Sequence, residues 1–241
     1  MHMDNFTGKT ILVVGGSSGI GLSLIKQLTS QGATVINVSR HQSEALQQLQ
    51  VEHITADVTG DLSSLASLPD VLHGLVYCPG TINLKPFARL TEEDFTHDWQ
   101  VNVLGAVRVL QQAIKSLKKA QGASVVLYST VAARVGMNFH ASVATAKSAV
   151  EGLALSLAAE YASGKIRFNV VAPSLTDTPL AAALLSSPEK REASDKRHPL
   201  GRVGTPEELA AVTAFLLSDQ SGWISGQVLG VDGGMSSLKA V

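Results

Sequence analysis

The stretch TILVVGGSSGIGLSLIKQLTSQG, residues 10–32, changes its apolar period within a few positions. A β-branched run, Thr10 to Val14, meets a glycine turn, and apolar residues then recur at helical spacing up to a glycine stop at Gly32. Strand, tight turn and helix in that order open an α/β unit. ATVINVS (33–39), VEHITADV (51–58), VLHGLVYC (71–78), ASVVLYST (123–130), KIRFNVVAP (165–173) and QVLGVDGG (227–234) read as further strands, with helical segments between most of them. Short apolar strands alternating with helices predict a parallel sheet covered on both faces, because right-handed crossovers put the helices there. The expected architecture is a single doubly wound α/β domain over 1–241, with a mostly parallel sheet of seven strands.

Length and composition agree with one compact domain. A chain of 241 residues with 45% apolar and 16% charged residues can bury a full core and is not biased toward disorder. The net charge of -1, with lysines and arginines dispersed, offers no basic field for nucleic acid or an anionic membrane. Cys78 is the only cysteine, which excludes an internal disulfide and a multi-thiolate metal site, and the seven histidines show no ligand spacing. The opening MHMDNFTGKT has no charged-then-apolar pattern, and no apolar run reaches the roughly eighteen residues of a membrane span, so a cytoplasmic protein is expected.

The turn after the first strand supplies Gly15, Ser17, Ser18, Gly19, Ile20 and Gly21. Glycines there let backbone N–H groups approach a pyrophosphate at the positive end of a helix, which makes this a dinucleotide site in its strand–turn–helix context. Sites that take free ribose hydroxyls usually carry an acid at the end of the second strand. This chain has Ser39, Arg40 and His41, and an arginine can meet a 2′-phosphate with paired charge-assisted bonds, so NADP(H) is expected over NAD(H). An exposed arginine with no ligand is the alternative.

Several separate motifs then occur in order: GGSSGIG, ADVT at 56–59, VNVLG at 101–105, KIRFNVVAP, and LGRVGTPEELAAVTAFLLSD through ISGQVLGVDGG. In these the chain, from about Gly8 to Gly234, resembles the short-chain dehydrogenase/reductase family. The resemblance implies a Rossmann-like fold assembled as a homodimer or homotetramer, acting on a small-molecule substrate. It implies Asp57 and Val58 at the adenine, Gly80 under the adenosine ribose, Lys147 on the nicotinamide ribose, and Pro173 and Thr178 near the nicotinamide. Asn102 would join a water-linked proton relay, and Thr130 would supply the substrate-orienting hydroxyl, thirteen residues before the family's tyrosine position.

That tyrosine position is Val143, four residues before Lys147. Valine has no proton to give, and a positioned acid contributes typically about 10²–10⁴ in rate. His140, three residues earlier, is the first candidate to stand in, since on a helix it shares a face with Val143. Ser142 is expected to cap the helix start, and Tyr128 and Tyr161 to be structural. Smaller departures are YCPG at 77–80 where the family commonly has Asn-Asn-Ala-Gly, Val14 for a threonine, and Ser174 for a glycine.

The long irregular stretch at about 174–205 is expected to be a substrate lid, with Leu175, Leu180, Leu184 and Leu185 beside Arg191 and Lys196. Three functions remain open on the sequence. The first is an NADP(H)-dependent oxidoreductase for a carbonyl or secondary alcohol, with the proton supplied by Thr130, Lys147, water and His140. The second is a nucleotide-binding sensor or assembly subunit without turnover. The third is a non-redox lyase or isomerase.

Overall fold

The computed structural model describes residues 6–239, so residues 1–5 of the stretch judged for export lie outside it, as do the last two residues of the expected domain. Seven strands form one parallel sheet: β1 (Thr10–Val14), β2 (Thr34–Ser39), β3 (Glu52–Thr55), β4 (Gly74–Tyr77), β5 (Ala123–Tyr128), β6 (Ile166–Pro173) and β7 (Val228–Val231), in the order β3-β2-β1-β4-β5-β6-β7. The helices are α1 (Gly19–Ser30), α2 (Glu44–Gln48), α3 (Glu92–Trp99), α4 (Gly105–Lys119), α5 (Ala141–Tyr161), α6 (Pro188–Asp195) and α7 (Pro206–Leu217). The chain is therefore a single Rossmann-like domain, as the alternation of patterns predicted. None of these helices is long and apolar enough to cross a membrane.

The strands read as unbroken apolar runs because both faces of the sheet are covered. Ile11 and Val13 pack with Leu24, Ile25, Leu28, Leu209 and Leu216 from α1 and α7. Leu12 and Val14 point the other way, toward Val109, Leu110, Ala146 and Val150 from α4 and α5. Alternate side chains on a strand face opposite ways, so a strand buried on both sides needs apolar residues at every position.

Strand order creates the site. The chain winds outward from β1 to β3, then crosses back to lay β4 on the other side of β1, with Val14 paired to both Val38 and Tyr77. Loops leaving β1 and β4 diverge at that switch point, and the crevice between them is the usual ligand position in such sheets.

Two irregularities adjust this edge. Between α3 and α4 the helix widens over Gln100–Leu104, and Gly105 N–H bonds to the carbonyl five residues back, at Gln100. Gly105 is required because a Cβ there would overlap the Tyr77 hydroxyl, which donates to the Val101 carbonyl at 2.5 Å. The excursion after β6 is not structureless: it holds a 3₁₀ segment (Pro179–Leu185) and α6. Its base is closed where Gly204 N donates to the Leu175 carbonyl at 3.0 Å and Asp177 N to the Gly204 carbonyl at 2.9 Å.

Candidate active site

A groove of about 340 Å³ runs across the switch point, and every residue expected there from Gly15 to Val58 lines it, together with Gly80 and Thr178. Gly15 (φ 83°) and Gly19 (φ 53°) have left-handed backbone that favours glycine. A Cβ on Gly21 would overlap the Gly15 carbonyl, so strand and helix approach only because that position is bare. Ser18 occupies the N-cap of α1 without a side-chain bond to it, which leaves first-turn N–H groups for an anion.

The turn is braced from below by Asn37, which the sequence reading missed. Its Oδ1 accepts from Gly16 N at 2.9 Å, and its Nδ2 donates to Ser39 Oγ at 3.0 Å and His53 Nδ1 at 2.9 Å. An amide nitrogen can only donate, so the His53 ring is neutral with its proton on Nε2, consistent with burial lowering its pKa. An asparagine inside a β-branched strand was the available signal.

Arg40 is exposed at the groove and makes no ion pair among the described residues. Asp57 is engaged by Thr59, whose N and Oγ1 donate to Oδ1 at 2.9 and 2.7 Å and hold the carboxyl below its usual range. These groups fit a phosphorylated dinucleotide: donors at the turn, an uncommitted guanidinium at the far end, and glycines where a Cβ would intrude.

Beyond Gly80 the groove continues into a mainly apolar cavity of about 250 Å³, whose wall includes Thr130, His140, Val143, Lys147, Pro173 and Thr178. Adjacent strands explain the convergence. Pairing of Tyr128 with Val171 brings the residues after β5 and β6 side by side, and α5 crosses beneath them to deliver Val143 and Lys147. Lys147 is buried, with Nζ donating to the Tyr128 carbonyl at 2.8 Å. Burial lowers its pKa to about 8, with the Asp98 carboxylate pulling the other way. Cys78 is pushed up to about 12 by burial, so it contributes no thiolate at neutral pH.

His140 is the N-cap residue of α5 rather than part of its first turn, and its Nδ1 donates to the Asn138 carbonyl at 2.7 Å. Nε2 is thus the atom left to accept a proton or, once charged, to donate one. Thr130 keeps its hydroxyl at the cavity while accepting from Ala132 N at 3.3 Å.

Asn102 does not line the cavity. It is buried behind Gly80 and Thr81, with Nδ2 donating to the Asp98 carbonyl at 2.8 Å and to Thr81 Oγ1 at 3.0 Å. Its Oδ1 is buried without a donor. A Cβ on Gly80 would stand 3.3 Å from Lys147 Nζ and 3.5 Å from that Oδ1, so glycine keeps the space between them open.

The structure corrects one expectation here and supplies residues the sequence reading lacked. Ser142 does not cap α5. It sits in the first turn and donates instead to the Asp98 carboxylate on α3, at 2.5 Å. Asp98 is fully buried and also accepts from Thr81 Oγ1 at 2.5 Å. Its place four residues before Asn102, on the same helical face, was the legible signal. His198, also buried, bonds through Nε2 to Ser174 Oγ at 2.7 Å and donates from Nδ1 to the Ser194 carbonyl at 2.8 Å, and both residues reach the cavity. Tyr128 commits its hydroxyl to Thr213 at 2.6 Å on the α7 side of the sheet, and Tyr161 packs its ring 5.9 Å from that of Phe168.

Known proteins resemble this arrangement over nearly the whole chain. A family model described as enoyl-(acyl carrier protein) reductase matches residues 14–236. A tropinone reductase homolog of Arabidopsis thaliana is 34% identical over 244 residues, spanning 95% of this chain and 93% of its own. Among solved structures, a short-chain type dehydrogenase/reductase from Mycobacterium ulcerans superposes with a TM-score of 0.88 at 32% identity, covering 96% of this chain and 90% of that one. A gluconate 5-dehydrogenase from Burkholderia cenocepacia, in complex with NADP and tartrate, gives 0.89 at 26% identity, with 99% of each chain covered. With motifs, sheet order and site placement in agreement, the chain belongs to the short-chain dehydrogenase/reductase family.

Proposed function

We propose that the protein is an NADP(H)-dependent oxidoreductase that reduces a carbonyl or oxidises a secondary alcohol, with a proton donor other than the family's tyrosine. The observation that carries the reading is the meeting of Thr130, His140 and Lys147 around Val143 in one cavity continuous with the nucleotide groove. Arg40, exposed and in no ion pair among the described residues, supports recognition of a 2′-phosphate.

When bound, the dinucleotide supplies or removes hydride, and the protein does the rest. Gly15 to Gly21 would hold the pyrophosphate and Lys147 the nicotinamide ribose. Thr130 orients the substrate oxygen by its hydroxyl. Lys147, an ammonium below about pH 8, stabilises negative charge on that oxygen through a short bond or through water near Asn102 Oδ1. His140 presents Nε2 as an exchangeable proton site at the cavity rim. Opening of the 174–205 segment over the cavity belongs to this reading as the route of substrate entry. So does assembly as a homodimer or homotetramer, for which the exposed Leu155 on α5 is available.

One observation favours a protein that binds without turnover: Val143 is buried and places apolar surface where a donor would stand. Steady-state NADPH consumption over a panel of carbonyl compounds separates the two. Turnover that is lost in Lys147→Ala supports the oxidoreductase, and tight NADPH binding with no turnover on any compound supports the alternative.

A further inference from the structure

The cavity beside Lys147 is apolar over most of its wall, with Ile82, Val131, Val143, Leu175 and Leu184 contributing. Its charge is of one sign. Lys147 stands at the end next to Thr130, Arg197 and His198 arrive from the segment following α6, and no aspartate or glutamate reaches the wall among the described residues. In a low-dielectric space such a lining favours an anion and disfavours a cation.

The lid cations expected from the sequence are not the ones available. Arg191 is held by Asp177 and Lys196 by Glu192, each at 2.6 Å. Arg197 makes no ion pair among the described residues, and one of its donors reaches Ser194 Oγ at 3.0 Å, leaving most of the guanidinium fork uncommitted. Next to it the buried His198 orients the Ser174 hydroxyl. Nδ1 faces a carbonyl and must carry a proton, and Ser174 Oγ donates to Met235 Sδ at 2.9 Å, a weak acceptor that a carboxylate oxygen can replace.

We propose that the cavity takes an apolar carbonyl compound bearing a carboxylate, with Arg197 and the Ser174–His198 pair receiving the carboxylate and the Lys147 end receiving the carbonyl oxygen. Only the second half rests on the oxidoreductase reading. The cavity volume of about 250 Å³ suits a short chain.

The test is binding rather than turnover. Hexanoate, 1-hexanol and hexylammonium are titrated into the protein without nucleotide, followed by ligand-observed NMR, for the wild type and Arg197→Met. Arg197 is exposed, so the variant leaves the core intact. Hexanoate is expected to bind about tenfold or more tighter than hexanol, as one charge-assisted bond accounts for, with hexylammonium weakest. In Arg197→Met the preference for hexanoate over hexanol is expected to fall about tenfold. No hexanoate binding, equal binding of hexanol, or a preference unchanged in Arg197→Met would overturn the assignment. Selective hexanoate binding in a protein that consumes no NADPH overturns the oxidoreductase reading alone. NADPH consumption without the preference overturns this one alone.

Discussion

Lys147 Nζ lies 2.8 Å from the carbonyl oxygen of Tyr128, at the end of β5, and this bond fixes the ammonium at the junction of groove and cavity. Below about pH 8 the lysine is a cation beside Thr130 and Val143. On the proposed reading, replacing it by alanine removes both the ribose contact and the charge facing the substrate oxygen. Turnover in Lys147→Ala is expected to fall below detection, while the far-ultraviolet circular dichroism of the variant stays that of the wild type.

A pH dependence follows from the burial of this group. A buried lysine has its pKa lowered, here to about 8, so the ammonium is present below that value and is lost as pH rises through it. If the ammonium is the working form, the logarithm of the reduction rate falls with a slope near −1 above about pH 8. Asp98 opposes the lowering, so Asp98→Asn, which keeps the shape, is expected to move the midpoint to lower pH. A structural role for Asp98 would reduce the rate without moving the midpoint.

His140 is expected to contribute a proton site without holding the fold. Its ring bonds to one local carbonyl, so His140→Ala should leave thermal stability nearly unchanged and reduce turnover at least about tenfold, within the range for one positioned acid or base. A variant with full activity leaves Lys147 and water as the donors.

On the proposed reading, Arg40 decides between the two nucleotides. Charge-assisted hydrogen bonds contribute about 1.5–3 kcal/mol, so Arg40→Ala is expected to weaken NADPH binding roughly tenfold to a hundredfold and to leave NADH nearly unaffected. Isothermal titration with both nucleotides measures this directly.

Asn37 ties the glycine turn to β2, and all its polar atoms are committed inside the protein. In Asn37→Ala the Gly16 N–H loses its acceptor in a buried site, which costs about 1–3 kcal/mol. Denaturant unfolding should show that loss, and, with the turn as the proposed nucleotide platform, NADPH affinity should fall with it.

The sheet, the glycine turn and the groove residues were legible because each depends on local signals: β-branched runs, helical periodicity, and glycines at a strand–helix junction. Each strand lies within its expected stretch. The polar groups behind the cavity were not legible in the same way. Asp98 meets Ser142 across 44 positions of sequence, and Ser174 meets His198 across 24, and neither pairing leaves a periodic trace. Ser142 shows the difference well. Local capping rules favour it at a helix start, but a buried carboxylate on a neighbouring helix is the stronger partner, and tertiary packing overrode the local preference.

The claim that this site works without the family's tyrosine is tested most directly by measuring NADPH oxidation over a panel of short keto acids and neutral ketones, for the wild type and Val143→Tyr side by side. The account predicts that the wild type turns over at least as fast as the variant on its best compound. Turnover by Val143→Tyr alone would contradict it, and would mean that the scaffold can support the reaction but that the native residues do not deliver the proton.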